Sequence, residues 1–144
     1  MFEKMKEKIE LYKIIKNDNN FDFASILNLL RFKMVQMEKF FSSGDSHVMD
    51  AKRVAKQLRY GIFLIDRYYD DRWDDPEYVQ LSEQGLWKAS DPMNRFTDRT
   101  SFTPEERAVE EKLLAFYIKT EEIQQDALKR LFKHMSKHMQ SWWD

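Results

Sequence analysis

The stretch DFASILNLLRFKMVQMEKFFS, residues 22–42, decides the fold. Phe23, Leu27, Leu30, Met34, Met37 and Phe41 follow one another at spacings of 4, 3, 4, 3 and 4, the repeat of a single helix face. Ile26, Leu29, Phe32, Val35 and Phe40 add apolar surface on other sides. A helix apolar over most of its circumference belongs in the middle of a bundle. Ser42, Ser43, Gly44 and Asp45 supply its stop.

Working outward, three more segments carry the same period. Residues 2–16 place Phe2, Met5, Ile9 and Tyr12 on one face, with Ile15 extending it and Leu11 and Ile14 beside it. The run Asn17-Asp18-Asn19-Asn20 ends this helix, because these side chains compete for backbone hydrogen bonds. A third helix is expected over about 46–70, with the seam Val48, Ala51, Ala55, Leu58, Ile62, Ile65 and Tyr69. Its two alanines invite close approach of a neighbour, and Gly61 costs ~1 kcal/mol of helix propensity against alanine. The last helix opens on Thr103-Pro104-Glu105-Glu106, a capping box with proline in the first turn. It is expected to run to about Trp142 along the seam Val109, Leu113, Phe116, Thr120, Ile123, Ala127, Leu131, Met135, His138 and Trp142. The fold class is all-α: a bundle of three long helices plus a shorter N-terminal one, in a single domain spanning residues 1–144. An aromatic-rich crossover, residues 71–102, joins the third and last helices, with Pro76 opening a short helix through about Gln84.

Composition excludes several function classes. The chain has 144 residues with only 3 glycines and 3 prolines, too little punctuation for a sandwich or barrel. It has no cysteine, so disulfide scaffolds, thiolate zinc sites, iron–sulfur clusters and cysteine nucleophiles are out. Scarce glycine leaves little for a phosphate-cradling loop. No apolar run approaches ~18 residues, so no membrane span is expected. The charged N-terminus does not read as a signal peptide.

Three constellations carry possible chemistry. His134 and His138 stand at i, i+4 on one helix face, and Asp66 and Asp70 share that spacing near the end of the third helix. If the helix ends meet, the four form a divalent-metal site, the basis of a metal-dependent enzyme reading. The plainer expectation is a packed His138 on the apolar seam and a His134 facing a basic helix end. Residues 66–77 hold Asp66, Asp70, Asp71, Asp74, Asp75 and Glu77 against Arg67 and Arg72, interleaved with aromatics. They read as a solvated helix end, a general acid and base pair, or a local phosphate mimic. Basic stripes, Lys52-Arg53-Lys56-Arg59 and Lys129-Arg130-Lys133-Lys137, offer phosphate contacts. A net charge of -1 makes solvated helix faces the better account of them. No nucleophile with an adjacent base emerges, and no cofactor is implied. The expected partner is therefore another protein. The candidate contact residues are Tyr68, Tyr69, Asp70, Asp71, Trp73, Asp74, Asp75 and Tyr78, together with the tip residues Trp142 and Trp143. Adjacent tryptophans point about 100° apart on a helix, so one can dock inward while the other faces a partner.

Leu30-Arg31-Phe32-Lys33, Ala51-Lys52-Arg53 with Leu64-Ile65-Asp66-Arg67, and Lys137-His138-Met139-Gln140-Ser141-Trp142-Trp143-Asp144 together resemble small helical bacteriophage-encoded proteins of uncharacterised function. The resemblance covers residues 26–70 and 126–144, includes no catalytic motif and transfers no site residue. It implies work in the cytoplasm of an infected bacterium. Inhibitors of a host defence protein, such as a CRISPR nuclease, and virion or assembly components are the classes it brings in.

The crossover is too apolar for a solvated tether, with Trp73, Tyr78, Val79, Leu81, Leu86, Trp87, Phe96 and Phe102 in it. It is expected to fold back on the last helix. Burial of Trp87 would contribute about 2–3 kcal/mol by area transfer, so Trp87→Ala should lower the denaturant midpoint clearly. Trp143→Ala should cost less if that ring serves a partner. A harmless Trp87→Ala, with rapid proteolysis across 71–102, would mark the segment as a linker.

Overall fold

A computed structural model of the chain describes residues 2–16, 23–44, 46–47, 49–86 and 102–142. The protein is all-α, with no strand among the described residues. The order is α1 (Phe2–Lys16), α2 (Phe23–Ser42), α3 (Ala51–Tyr69), α4 (Pro76–Leu81) running into a π turn (Ser82–Leu86), and α5 (Pro104–His138) tightening into a 3-10 turn (Met139–Trp142). No helix among the described residues is long and apolar enough to cross a membrane.

Two boundaries differ from expectation. α3 starts at Ala51 rather than near 46: the Asp50 carbonyl accepts its first helical bond, from the Val54 amide at 3.0 Å. Ahead of it, Gly44 turns the chain with φ +79, a conformation that suits glycine. α4 stops at Leu81, and a π turn carries the chain to Leu86. The start of α4 follows the proline signal: Asp75 caps it, accepting from the Glu77 amide at 2.9 Å, and Pro76 occupies the first turn. The capping box of α5 is reciprocal. The Thr103 amide donates to Glu106 Oε2 at 2.9 Å and the Glu106 amide to Thr103 Oγ1 at 3.2 Å.

Contacts group the residues into two compact units, 1–67 with 127–144 and 68–126. In the first, the buried side chains come from α2 (Leu27, Met34, Phe41), α3 (Val54, Ala55, Leu58, Leu64, Ile65), the end of α5 (Ala127, Leu131) and the 3-10 turn after it (Trp142). The α2 seam follows the predicted spacing from Leu27 to Phe41, but Phe23, expected at its head, is exposed. α3 is also buried off its predicted seam, at Val54, Gly61 and Leu64, where Met34 of α2 and Leu131 of α5 approach Gly61. Of the seam itself, Tyr69 is exposed and Val48 lies outside the described residues. α1 corrects an expectation: Met5, Ile9 and Tyr12 are half or more exposed, while Leu11 and Ile14 are half-buried. Both stripes have helical spacing, so periodicity alone could not choose between them.

In the second unit, Leu81 of α4 and Leu113 of α5 form a small core with Tyr78 and Val109 against it. Phe116 and Thr120 of α5 are also buried. The crossover thus packs on the last helix as far as Leu81. The Leu86 side chain, Trp87 and Phe96 lie outside the described residues. Every predicted seam position of α5 is buried or half-buried.

A Cβ at Gly61 would stand 3.0 Å from Met34 Cε and 3.1 Å from its sulfur. In Gly61→Ala, the helix-propensity gain of about 1 kcal/mol should offset the shift of that flexible thioether. Gly61→Val has no such room, and should destabilise by about 1–3 kcal/mol through overpacking, read as a lower urea midpoint.

Candidate functional site

The segment between α3 and α4 is organised by one arginine. The Asp70 carboxylate accepts from the Arg72 amide at 2.9 Å, which bends the chain back on itself. Arg72 takes φ +56, a left-handed conformation that costs a non-glycine residue about 1–3 kcal/mol. Its side chain explains why the conformation persists. The guanidinium donates to Asp75 Oδ2 at 2.5 Å, reaches Thr120 Oγ1 at 3.5 Å and lies 4.7 Å above the Phe116 ring centre. Gln124 of α5 holds the same loop, donating to the Asp70 carbonyl at 3.2 Å and to Asp71 Oδ1 at 3.1 Å. The Glu77 amide and Arg72 hold the Asp75 carboxyl below the usual carboxylate range. That is opposite to what a general acid at neutral pH needs.

This loop presents Trp73, which is 66% exposed. Its ring stands 5.8 Å from Tyr78, and Tyr78 stands 5.5 Å from Phe116 and 6.3 Å from Tyr117. Burial and the hydrogen bond with Tyr78 push the Tyr117 hydroxyl up. Leu114, Tyr117 and Ile118 of α5 are exposed, as are Asp70, Asp71 and Asp74. Tyr68 and Tyr69 meet edge-on at 5.3 Å, Tyr69 exposed and Tyr68 half-buried. The predicted residues Tyr68, Tyr69, Asp70, Asp71, Trp73, Asp74, Asp75 and Tyr78 all belong to this unit, with Asp75 and Tyr78 as supports and Trp73 and Asp74 as surface. Sequence reasoning missed Phe116, Thr120 and Gln124 as their anchors. For Thr120, a hydroxyl in the middle of a mostly apolar seam was the available signal.

The histidine pair sits in the other unit, and Gln57 of α3 joins it to Trp142. The Trp142 indole N–H can only donate, and does so to Gln57 Oε1 at 2.9 Å. Gln57 Nε2 therefore donates to His138 Nδ1 at 3.1 Å, which requires a neutral His138 with its proton on Nε2. His134 Nε2 donates to the Gln57 backbone carbonyl at 2.8 Å, and its ring meets Tyr60 edge-on at 4.9 Å. Trp142 is 5% exposed, so this candidate contact residue is interior. Trp143 lies outside the described residues. The two imidazoles meet, with ring centres 4.8 Å apart. Asp66 is held by a two-pronged pair with Arg31, at 2.5 and 3.1 Å. No group of three or more His, Asp or Glu that could hold a metal occurs among the described residues.

The basic stripe of α3 lines an open pocket of about 1060 Å³ beside the end of α2. Arg53 pairs with Asp50 and Arg59 with Glu38, both at 2.7 Å. Lys52 and Lys56 are exposed, and no ion pair among the described residues engages them. The two units differ sharply in charge. Residues 68–126 hold 15 acidic against 7 basic side chains, a net charge of -8, while the remaining residues hold 10 against 17, a net charge of +7.

No protein-family model, curated protein or solved structure matches the chain.

Burial, then the His134, Lys137 and Arg53 charges, hold the His138 imidazole below its ordinary value. The fold accommodates the neutral ring. Its stabilising contribution is therefore complete above the unfolded-chain value of about 6.5 and is lost as pH falls below it. Glu38 and Asp75, both held low, lose their contributions only at more acidic pH. The thermal midpoint should be level above about pH 7 and begin to fall as pH drops below about 6.5. His138→Gln should flatten that slope, and an unchanged slope would remove His138 as its source.

Proposed function

We propose that the chain is a non-enzymatic interaction protein that docks a basic surface of another protein through the face built from residues 68–78 and α5. The observation that carries this reading is Trp73: a tryptophan 66% exposed, on a loop whose costly backbone conformation is held by Arg72. A pre-ordered loop loses little freedom on binding, and an exposed tryptophan is a frequent hot spot of protein interfaces. The charge of -8 on this unit selects a cationic partner, and lysine or arginine side chains also suit the face of an indole ring.

The resemblance to phage-encoded proteins makes a host defence protein of the bacterial cytoplasm the first partner to test. A CRISPR nuclease fits the charge argument, because its heteroduplex channel is positively charged. A virion or assembly protein with a basic docking surface is the second.

Trp73→Ala should leave the helical circular dichroism and the melting temperature nearly unchanged, as expected for an exposed side chain. It should weaken capture of a purified basic partner by at least tenfold. Equal capture by wild type and Trp73→Ala would overturn the reading.

A further inference from the structure

We propose that the aromatic–acidic face has a receptor on the chain itself: the basic groove of a second copy, so that free protein associates head to tail. This rests on the docking role given to Trp73 above, and adds a self-contact that a foreign partner must displace.

The two surfaces match in chemistry. Phe41 and Ala55, both buried, line the groove as its apolar floor, and Met49 among the lining residues stands fully exposed. Lys52 and Lys56 supply cations with no acidic partner among the described residues. At about 1060 Å³ the groove accepts more than a single ring. The opposing surface is an exposed Trp73 with Asp74 and Glu77, both exposed and unpaired among the described residues. An indole over the apolar floor and carboxylates against the two lysines would satisfy both sides.

Charge decides between a second copy and a nucleic acid. A phosphate backbone suits the groove on the +7 unit but offers no counter-charge to the -8 unit of the same chain. A second copy offers each unit the opposite sign. The contact joins unlike surfaces, so copies add head to tail, into a ring where the rotation closes and a filament where it does not.

Sedimentation of the full chain over a range of concentrations, at low and high salt, tests this. The mean mass should rise with concentration at low salt and return to monomer at high salt. Lys52→Glu/Lys56→Glu and Asp74→Lys/Glu77→Lys should each weaken association at least tenfold, with unchanged circular dichroism. Their equimolar mixture should associate again, because the intact acidic face of one variant meets the intact groove of the other. A wild type that stays monomeric at low salt would overturn the proposal, as would a mixture that stays monomeric. A labelled single-stranded DNA oligonucleotide that binds wild type more tightly than the chain binds itself, and loses that binding in the groove variant, would overturn it in favour of phosphate recognition. A monomeric wild type with Trp73-dependent capture of a basic protein would defeat self-association alone. Undiminished self-association of Trp73→Ala would defeat the docking role of the face, and the proposal with it.

Discussion

The Arg72 guanidinium, set over the Phe116 ring and paired with Asp75, is the contact on which the presentation of Trp73 depends. A left-handed arginine is unfavourable alone, and a loop of aspartates would repel itself. One cation reduces both costs. It neutralises Asp75, satisfies part of Thr120 and covers an aromatic face that would otherwise meet water. Its side chain is only 17% exposed, so the pair is screened less than an ordinary surface salt bridge. Strain at Arg72 is thus held by the same contacts that leave the adjacent Trp73 facing outward.

Much of the helical layout was legible because it rests on local rules. The α5 seam survives through both compact units, and the Thr103–Glu106 box marks its start, since caps and periodicity are properties of a few neighbouring residues. Pro76 announced α4 in the same way. The stripe of α1 was not legible, because two apolar faces compete on one short helix and only the partner surface distinguishes them. The candidate face was legible as a run of aromatics and acids. The groups that order it were not: Thr120 and Gln124 lie 48 or more positions from the loop they hold, and no local pattern announces such a bond.

Gln57 shows the same limit from another side. As one amide on a helix rich in charges, it reads as a surface residue. In the fold, its side chain takes the indole proton of Trp142 and donates to His138, and its carbonyl receives His134. These partners are 77 to 85 positions away. The i, i+4 histidine spacing that suggested metal ligation instead places two rings along one glutamine, with each proton assigned by its partner.

Net charge was the least informative number in the composition, because it is a sum over two opposed units. A total of -1 argues against strong attraction to nucleic acid, and it holds for the chain as a whole. It hides a local field set by +7 on one group of residues and -8 on the other. Long-range steering follows the total, while docking at contact distance follows the local charge, since screening limits each group to about 8 Å at physiological salt. By this physics the total sets a weak attraction from afar, and the local charges set what fits once close. On the proposed docking role, a partner with a matched surface would therefore be favoured over one that offers only charge.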